Sequence, residues 1–315
     1  MKITTPKYNW QAYKFGSISL CMIMKNEEKR LRRCLDSVVG LVDEIVIVDT
    51  GSTDSSIQIA ESYGARIFHD PWQDDFSRPR NIALDHARCD YIFIMDPDEM
   101  LSLDQHDSIR WLTRIKSVAA FWITTLNYCN APHETGYRSL KGKLDPTGRY
   151  KGYTPSTKTR FFKNGLGIRF EGVYHELVDY YLVRHKLQIA KTTIPIHHWA
   201  HEFSQATYQD KKDFYLRLAY KKVREWPEHS QARWELAVTQ MIYGLRAEAV
   251  LSIKKAVKLG YTGANQFFAI AKCQYLLGQK ADSNYAFEKG ICKLYPNLTH
   301  VDIDKKPLTQ LVEGA

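Results

Sequence analysis

The sequence predicts an α/β domain with a mostly parallel sheet, followed by an all-α region, and three features of the 315-residue chain support this division. Short apolar runs alternate with helical segments over residues 18–101, which is typical of parallel strands joined by helices. Helical periodicity dominates the last third of the chain and repeats along it. Between these two parts, residues 127–158 are rich in Gly, Pro and Tyr and have little periodicity.

Four apolar runs of the α/β domain predict strands. The first, "ISLCMIM" (18–24), precedes a helical stripe of small and aliphatic residues. Residues 43–54 predict a strand, a tight turn and a helix start, and 65–70 predict a third strand. Residues 77–87 predict a short helix with a proline in its first turn, and 90–96 predict the fourth strand.

Acidic residues follow three of these predicted strands. Glu27 follows the first strand, Asp49 ends the second, and "DPDE" (96–99) follows the fourth. Because ligands bind beyond the carboxyl ends of parallel strands, we expect these side chains to line one site. Carboxylates this close repel one another, so cations or hydrogen-bond donors must meet them there.

The charge balance limits the classes of partner. The net charge of +9 favours anionic ligands, including sugar nucleotides, phosphorylated acceptors, nucleic acid and acidic membrane surfaces. The chain has no basic homopolymer tail and no zinc-finger spacing, which disfavours nucleic acid as the main partner. Its six cysteines also lack metal-site spacing, so we expect reduced, mostly buried thiols.

Membrane and export signals bear on location. No apolar stretch approaches the roughly 20 residues of a membrane-spanning helix, and the first residues lack the apolar centre of a signal peptide. We therefore expect a cytoplasmic protein, with at most peripheral contact at the inner face of the membrane.

The C-terminal third contains a repeat. Segments beginning at Trp234 and Phe268 share their pattern of small and apolar residues at an offset of 34 residues, which is the tetratricopeptide period. The domain boundaries that we expect are 1–203 for the α/β domain, 204–300 for a tetratricopeptide-like helical domain and 301–315 for a tail. A plain helical hairpin is the alternative for the helical domain, and repeats of this kind offer a surface to a protein partner.

Three motifs carry a resemblance to a known family. The stretches "CMIMKNEEKRLRRCLDSVVGLVDEIVIVDTGSTDSS", "DDFSRPRNIAL" and "IMDPDEM" together resemble glycosyltransferase family 2. Residues 159–178 and the repeats resemble its branch with C-terminal tetratricopeptide repeats, which includes lipopolysaccharide-core, surface-glycan and bacteriocin glycosyltransferases. Residues 127–158 have no counterpart that we can identify.

The resemblance implies a fold and an activity. The fold is GT-A, a nucleotide-sugar-binding α/β fold. The activity is inverting, metal-dependent transfer of a hexose from a nucleotide sugar, most simply a UDP-hexose, to a hydroxyl or a peptide side chain. The implied setting is bacterial surface-glycan assembly, and the implied cofactor is Mn²⁺ or Mg²⁺. The donor sugar and the acceptor stay open.

The resemblance also implies roles for residues at the donor site. Asp49 matches the residue that reads the uracil, Asp96 the residue that faces the ribose, and Asp98 the metal ligand. Glu27 either contacts the ribose or is a favourable acid in the first turn of a helix. Arg80 either pairs with the diphosphate or holds the acidic residues in place.

The segment "FEGVYHE" supplies the candidate acceptor side. An inverting transfer needs a base for the acceptor proton, and Glu176 lies where relatives have that base. Glu171 is the alternative base, and His175 between them is a candidate substrate-binding residue. Either carboxylate could instead be structural, paired with a neighbouring cation.

A histidine completes the implied metal site. His197 is the predicted third ligand, and His198 is the alternative. The family often has Gly two positions after this histidine, whereas Trp199 stands here, so the local backbone differs from the family pattern.

The segment between the α/β elements is strongly basic. Residues 131–160 contain seven Lys or Arg against two acids, with tyrosines and glycines interleaved. We hypothesise that residues 127–158 form a mobile lid that closes over the donor and selects an acidic acceptor. An exposed insertion without a role in binding is the alternative.

Two other function classes compete with transfer. One is a catalytically inert tetratricopeptide-type interaction protein, which the complete set of acidic residues disfavours. The other is a nucleotidyltransferase, for which a Gly-rich phosphate loop near the N-terminus is expected, whereas "MIMKNEEKR" has no glycine.

Overall fold

The chain consists of two compact units, Met1–Ser204 and Gln205–Ala315. The structure is a computed structural model that describes residues 14–132, 136–142, 145–199, 208–262, 265–279, 282, 283, 285, 286 and 289. It confirms the predicted α/β class and the helical C-terminal region. The predicted tail 301–315, the boundary at 203–204, Lys143 and Cys292 lie outside the described residues.

The first half of the sheet consists of parallel strands in the order β3-β2-β1-β4. Its strands are β1 (Ile18–Met24), β2 (Glu44–Asp49), β3 (Arg66–His69) and β4 (Tyr91–Ile94). Its helices are α1 (Leu31–Asp36), α2 (Ser56–Ser62) and α3 (Ser77–His86). These elements occupy the segments in which the apolar pattern predicted them.

The second half makes the sheet mixed, in the order β4-β8-β6-β9-β5. Its strands are β5 (Glu99–Met100), β6 (Ala120–Cys129), β7 (Arg138–Ser139), β8 (Gly152–Lys163) and β9 (Ile189–His198). Its helices are α4 (His106–Leu112) and α5 (Asp179–Arg184). Strand β8 runs antiparallel to both β4 and β6, and β7 pairs with β8.

Strands β1, β2 and β4 are buried on both faces, which explains their continuous apolar runs. Alternate residues of β1 face opposite sides of the sheet: Leu20 packs in one core with Leu35 of α1, and Cys21 packs in the other with Ala83 of α3. The five cysteines among the described residues are free, and four of them are buried, as the sequence predicted.

The segment 127–158 is less irregular than its composition indicated. Its two ends belong to β6 and β8, which pair from Phe121 and Phe161 out to Cys129 and Gly152. In the intervening connection, Asp145 is buried and accepts hydrogen bonds from three backbone N–H groups and from the indole Nε1 of Trp199 at 2.7 Å. This part of the hypothesised lid is therefore anchored to the sheet at Asp145.

The helical unit is described from Tyr208 onward. Its helices are α6 (Tyr208–Glu225), α7 (Ser230–Ile242), α8 (Arg246–Lys258) and α9 (Asn265–Leu276). Small residues fill the contacts among α7, α8 and α9, with Ala237, Ala249 and Ala271 in one cluster. Trp234 and Phe268, the starts of the 34-residue repeat, lie in the first halves of α7 and α9.

The hydropathy of the helices gives one further result. Over the described residues, no helix combines the length and the apolar character that spanning a membrane requires.

Candidate functional site

The candidate site lies at the carboxyl ends of β1, β2 and β4, and we call this edge of the sheet the acidic rim: Glu27, Asp49, Asp96, Asp98, Glu99 and the side chains that pair with them. Strand β1 lies between β2 and β4, so the turns after these three strands are neighbours although they are distant in sequence. The topology thereby brings the predicted donor-site residues to one edge.

Asp49 is the last residue of β2 and is 3% exposed. Its carboxylate accepts hydrogen bonds from the backbone N–H groups of Gly51 (3.0 Å) and Ser52 (3.1 Å), and His69 Nδ1 lies 3.7 Å away. These contacts fix the carboxylate at the start of the turn.

Arg80 joins two of the predicted site residues. From α3 it donates through Nη2 to Asp96 Oδ1 (2.8 Å) and through Nε to Glu176 Oε1 (2.6 Å). Burial would raise the pKa of Asp96, but the charges of Arg80, Arg160 and Lys158 outweigh burial and hold that pKa well below its usual range. Asp96 is therefore ionised, and Arg80 links it to the carboxylate predicted as the base.

Arg160 is a second buried cation of the acidic rim, and the sequence motifs gave it no role. Its Nη2 donates to Glu99 Oε1 at 2.5 Å, and its Nη1 lies 3.4 Å from Asp96 Oδ2. Glu99 in turn accepts from the backbone N–H of Asp96 at 2.8 Å. Burial raises the pKa of Glu99, and the charge of Arg160 opposes that rise. Asp96 and Glu99 are thus paired with the cations Arg80 and Arg160.

Asp98 contacts a histidine and an arginine. His198 Nε2 lies 3.3 Å from Asp98 Oδ2, and Arg30 Nη1 lies 3.6 Å from the same oxygen. Arg30 also pairs with Glu27 at 2.7 Å, so Arg30 links Glu27 to Asp98. Burial raises the pKa of Glu27 to about 7, with Arg30 opposing the rise.

The side chain beside Asp98 belongs to His198, whereas His197 was the predicted ligand. The two residues are adjacent on β9, so their side chains leave opposite faces of the sheet. His197 Nε2 lies 2.8 Å from Ser102 Oγ, and its Nδ1 lies 2.7 Å from the Tyr128 hydroxyl. Strand alternation therefore directs His197 away from Asp98, and the alternative histidine of the sequence analysis takes its place.

The ring of His198 is oriented by an amide. Its Nδ1 lies 2.7 Å from Asn127 Oδ1, and the Asn127 amide nitrogen donates to the carbonyl oxygen of Thr154 (2.8 Å) and to Ser156 Oγ (3.1 Å). Because that nitrogen is committed, the amide oxygen must accept from His198 Nδ1–H. Burial lowers the pKa of His198, but the hydrogen bond to Asp98 and the charges of Asp98, Glu99 and Asp96 outweigh burial and raise that pKa. The protonated ring donates Nε2–H to Asp98. When Nε2 loses this proton, its lone pair points towards Asp98 while Nδ1–H stays on the amide, which is the arrangement that metal-binding histidines use.

Asp98 and His198 could bind a hard divalent cation whose coordination is completed by oxygens of the substrate. Mg²⁺ and Mn²⁺ are commonly held by one or two protein ligands together with substrate phosphates and water. Within the described residues, no group of three or more His, Cys, Asp or Glu side chains is arranged as a metal site. Asp98 and His198 therefore suit a metal that arrives with a phosphate ligand rather than a self-sufficient protein site.

The remaining two predicted residues lie apart from these contacts. Glu171 forms an ion pair with Arg184 of α5, and its backbone bonds to Leu177. His175 has a positive φ of 48°, and its ring contacts that of Tyr174 at a tilt of 38°, with ring centroids 3.9 Å apart. Glu176 thus pairs with Arg80 at the acidic rim, whereas Glu171 pairs with Arg184 of α5.

The chain is similar to known proteins over part of its length. A family model described as "Glycosyl transferase family 2" matches residues 19–107. A TPR repeat-containing protein of Synechococcus elongatus is 36% identical over 164 residues, which cover 52% of this chain and 36% of that protein. An uncharacterized glycosyltransferase of Rickettsia bellii is 37% identical over 95 residues, which cover 30% of this chain and 32% of that protein.

A more distant relative is the SPbeta prophage-derived glycosyltransferase SunS of Bacillus subtilis. It is 25% identical over 162 residues, which cover 51% of this chain and 34% of SunS. The chain therefore spans about a third of the length of these curated relatives (36%, 32% and 34%).

Among solved structures, residues 1–349 of S. aureus TarS in complex with UDP-GlcNAc give a TM-score of 0.47 at 14% identity. The likeness covers 91% of this chain and 94% of that one. It is too distant to assign a role to any residue.

Proposed function

Because residues 19–107 match glycosyl transferase family 2, we propose that this chain is a metal-dependent, inverting glycosyltransferase that moves a hexose from a nucleotide sugar, most simply a UDP-hexose. The acceptor in this proposal is a hydroxyl or a peptide side chain, and the setting is surface-glycan assembly in the cytoplasm, at most in contact with the inner face of the membrane. The first alternative, an inert interaction protein, leaves the clustered acids of the rim without a role, and the second, a nucleotidyltransferase, is disfavoured because "MIMKNEEKR" has no glycine for a phosphate loop.

This proposal rests on one observation: a pair of side chains that can bind a cation and a carboxylate that can accept a proton both lie on the acidic rim. Asp98 and His198 offer a carboxylate oxygen and an imidazole nitrogen at 3.3 Å, and the Arg80 guanidinium joins Asp96 to Glu176 close by. Nucleotide-sugar transfer needs both a cation-binding pair for the diphosphate and a positioned carboxylate for the acceptor proton. The acidic rim offers both.

On the donor side, Asp49 and Asp96 are the proposed nucleotide contacts. Asp49 would accept a hydrogen bond from the uracil N–H, and its buried, hydrogen-bonded carboxylate is ready for that role. Asp96 would accept from a ribose hydroxyl while Arg80 keeps it ionised. Asp98 and His198 would hold the divalent metal, which neutralises charge on the diphosphate as the sugar bond breaks.

On the acceptor side, Glu176 is the proposed base. Its carboxylate would take the proton of the attacking hydroxyl, which raises the nucleophilicity of that oxygen as it approaches the anomeric carbon. Arg80 Nε holds one oxygen of Glu176, so the other oxygen is available to the acceptor. The same arginine thereby sets the distance between the ribose-binding and proton-accepting carboxylates.

We also propose that the helical unit binds a protein partner. A TPR repeat-containing relative supports this. The 34-residue repeat of the unit adds support, because stacked repeats present an extended surface to a partner.

A turnover assay tests the proposed function. We expect the purified protein to release UDP from at least one member of a panel of UDP-hexoses when Mn²⁺ is present, and to release none when EDTA replaces the metal. Hydrolysis of the donor by water suffices as the readout, because the acceptor is unknown. Absence of both UDP release and UDP binding in the presence of Mn²⁺ would reject a UDP-sugar transferase.

A further inference from the structure

Lys158 is a cation of the site to which the donor and acceptor contacts above give no role. Strand β8 runs antiparallel to β4, so the residues of β8 that precede Phe161 extend past the carboxyl end of β4. Arg160 uses this position to reach Asp96 and Glu99, and Lys158 lies two residues further along the same strand. The topology therefore brings the Lys158 side chain to the acidic rim.

The register of the sheet also determines on which of its two faces the Lys158 side chain lies. Lys158 pairs with Ile123 and Ser156 pairs with Thr125, so the lysine and Ser156 leave the sheet on the same side. Ser156 accepts a hydrogen bond from Asn127, the residue that orients His198. Lys158 thus shares its face of the sheet with the proposed metal-binding histidine.

The other cations of this region already have anionic partners. Arg30 pairs with Glu27, Arg80 pairs with Asp96 and Glu176, and Arg160 pairs with Glu99. Lys158 is exposed and, among the residues that the structure describes, its ammonium has no hydrogen bond and no ion pair within 4 Å. The charge of Arg160 and partial burial lower the pKa of Lys158. An incoming anion would offset that repulsion.

We propose that Lys158 binds a phosphate-type oxyanion in the site. The inference rests on the proposed function, because a nucleotide-sugar donor must place its diphosphate at the rim. A lysine ammonium is a compact charge with three donors, which suits one phosphate rather than a planar carboxylate pair. The oxyanion has two possible sources: the diphosphate of the donor, or a phosphate on an anionic acceptor.

Ligand binding by charge variants tests the inference and separates the two sources. Calorimetry in Mg²⁺ would compare the wild type with Lys158→Met, Lys158→Arg and the control Lys191→Met, which removes an exposed charge near the far end of β9. The ligands are UDP, uridine, and methyl phosphate added to the UDP-saturated protein.

If the donor is the source, Lys158→Met weakens UDP binding about tenfold and leaves uridine binding unchanged. If the acceptor is the source, UDP binding is unchanged and methyl phosphate binding falls by a similar factor. In either case Lys158→Arg recovers most of the loss, because it keeps the charge, and Lys191→Met matches the wild type.

Two results would overturn the inference. One is a Lys158→Met protein that binds UDP and methyl phosphate as the wild type does. The other is an equal loss for UDP and uridine, which would indicate a distorted site rather than a lost phosphate contact. A wild-type protein that binds no UDP at all would instead reject the proposed function.

Discussion

Asp98→Asn is expected to lower Mn²⁺-dependent turnover of the UDP-hexose donor by about 100-fold or more. Asn keeps the shape of the side chain but replaces an anionic ligand with a neutral amide, which binds a hard cation poorly. The same change leaves Arg30 and His198, which lie 3.6 and 3.3 Å from Asp98, without their carboxylate. UDP affinity in Mn²⁺ should therefore fall as well.

The control for this prediction is Asp104→Asn, which removes an exposed carboxylate from the turn after β5. Both proteins are compared by calorimetry with UDP and Mn²⁺, by donor turnover and by thermal unfolding. Asp104→Asn should match the wild type in all three. Wild-type affinity and turnover in a folded Asp98→Asn protein would remove Asp98 from the metal site.

Glu176→Gln is expected to lower kcat by roughly 100- to 10,000-fold while the affinity for the donor changes little. A base acts on the acceptor proton in the transition state, so its loss appears in kcat more than in ground-state binding. The amide can still accept the hydrogen bond from Arg80 Nε, so the local geometry is largely kept. The assay requires an acceptor found in the donor screen.

Glu171→Gln is the matched comparison, because it alters a carboxylate of the same segment that pairs with Arg184 rather than with Arg80. We expect its kcat to stay near that of the wild type, with at most a small loss of stability. If Glu171→Gln is the more damaging change at unchanged donor affinity, the base has been assigned to the wrong carboxylate.

The amino-acid sequence by itself predicts the local features of the fold and the site. The run 18–24 and its neighbours are apolar because both faces of their strands are buried, and the acids follow them because ligands meet parallel strands at their carboxyl ends. These patterns lie within short windows of sequence, which is why Asp49, Asp96 and Asp98 can be assigned to one edge of the sheet from the order of residues alone.

The other features depend on how distant strands pair. Whether His197 or His198 faces Asp98 is decided by the register of β9 on β6, in which Asn127 lies opposite His198. Arg160 and Lys158 reach the rim only because β8 is antiparallel to β4, and a shift in register between Phe121 and Trp122 lies beside them. No local pattern specifies these pairings, since a slip of one residue would exchange the two faces of each strand.

We propose that Asp98 and His198 together hold a metal whose coordination a nucleotide diphosphate completes. The test is calorimetric titration of UDP into the wild type, His198→Ala and His197→Ala, each with Mn²⁺ and with EDTA. We expect Mn²⁺ to strengthen UDP binding in the wild type and in His197→Ala, and His198→Ala to lose most of this gain. Equal strengthening in His198→Ala, or a loss confined to His197→Ala, would contradict the claim.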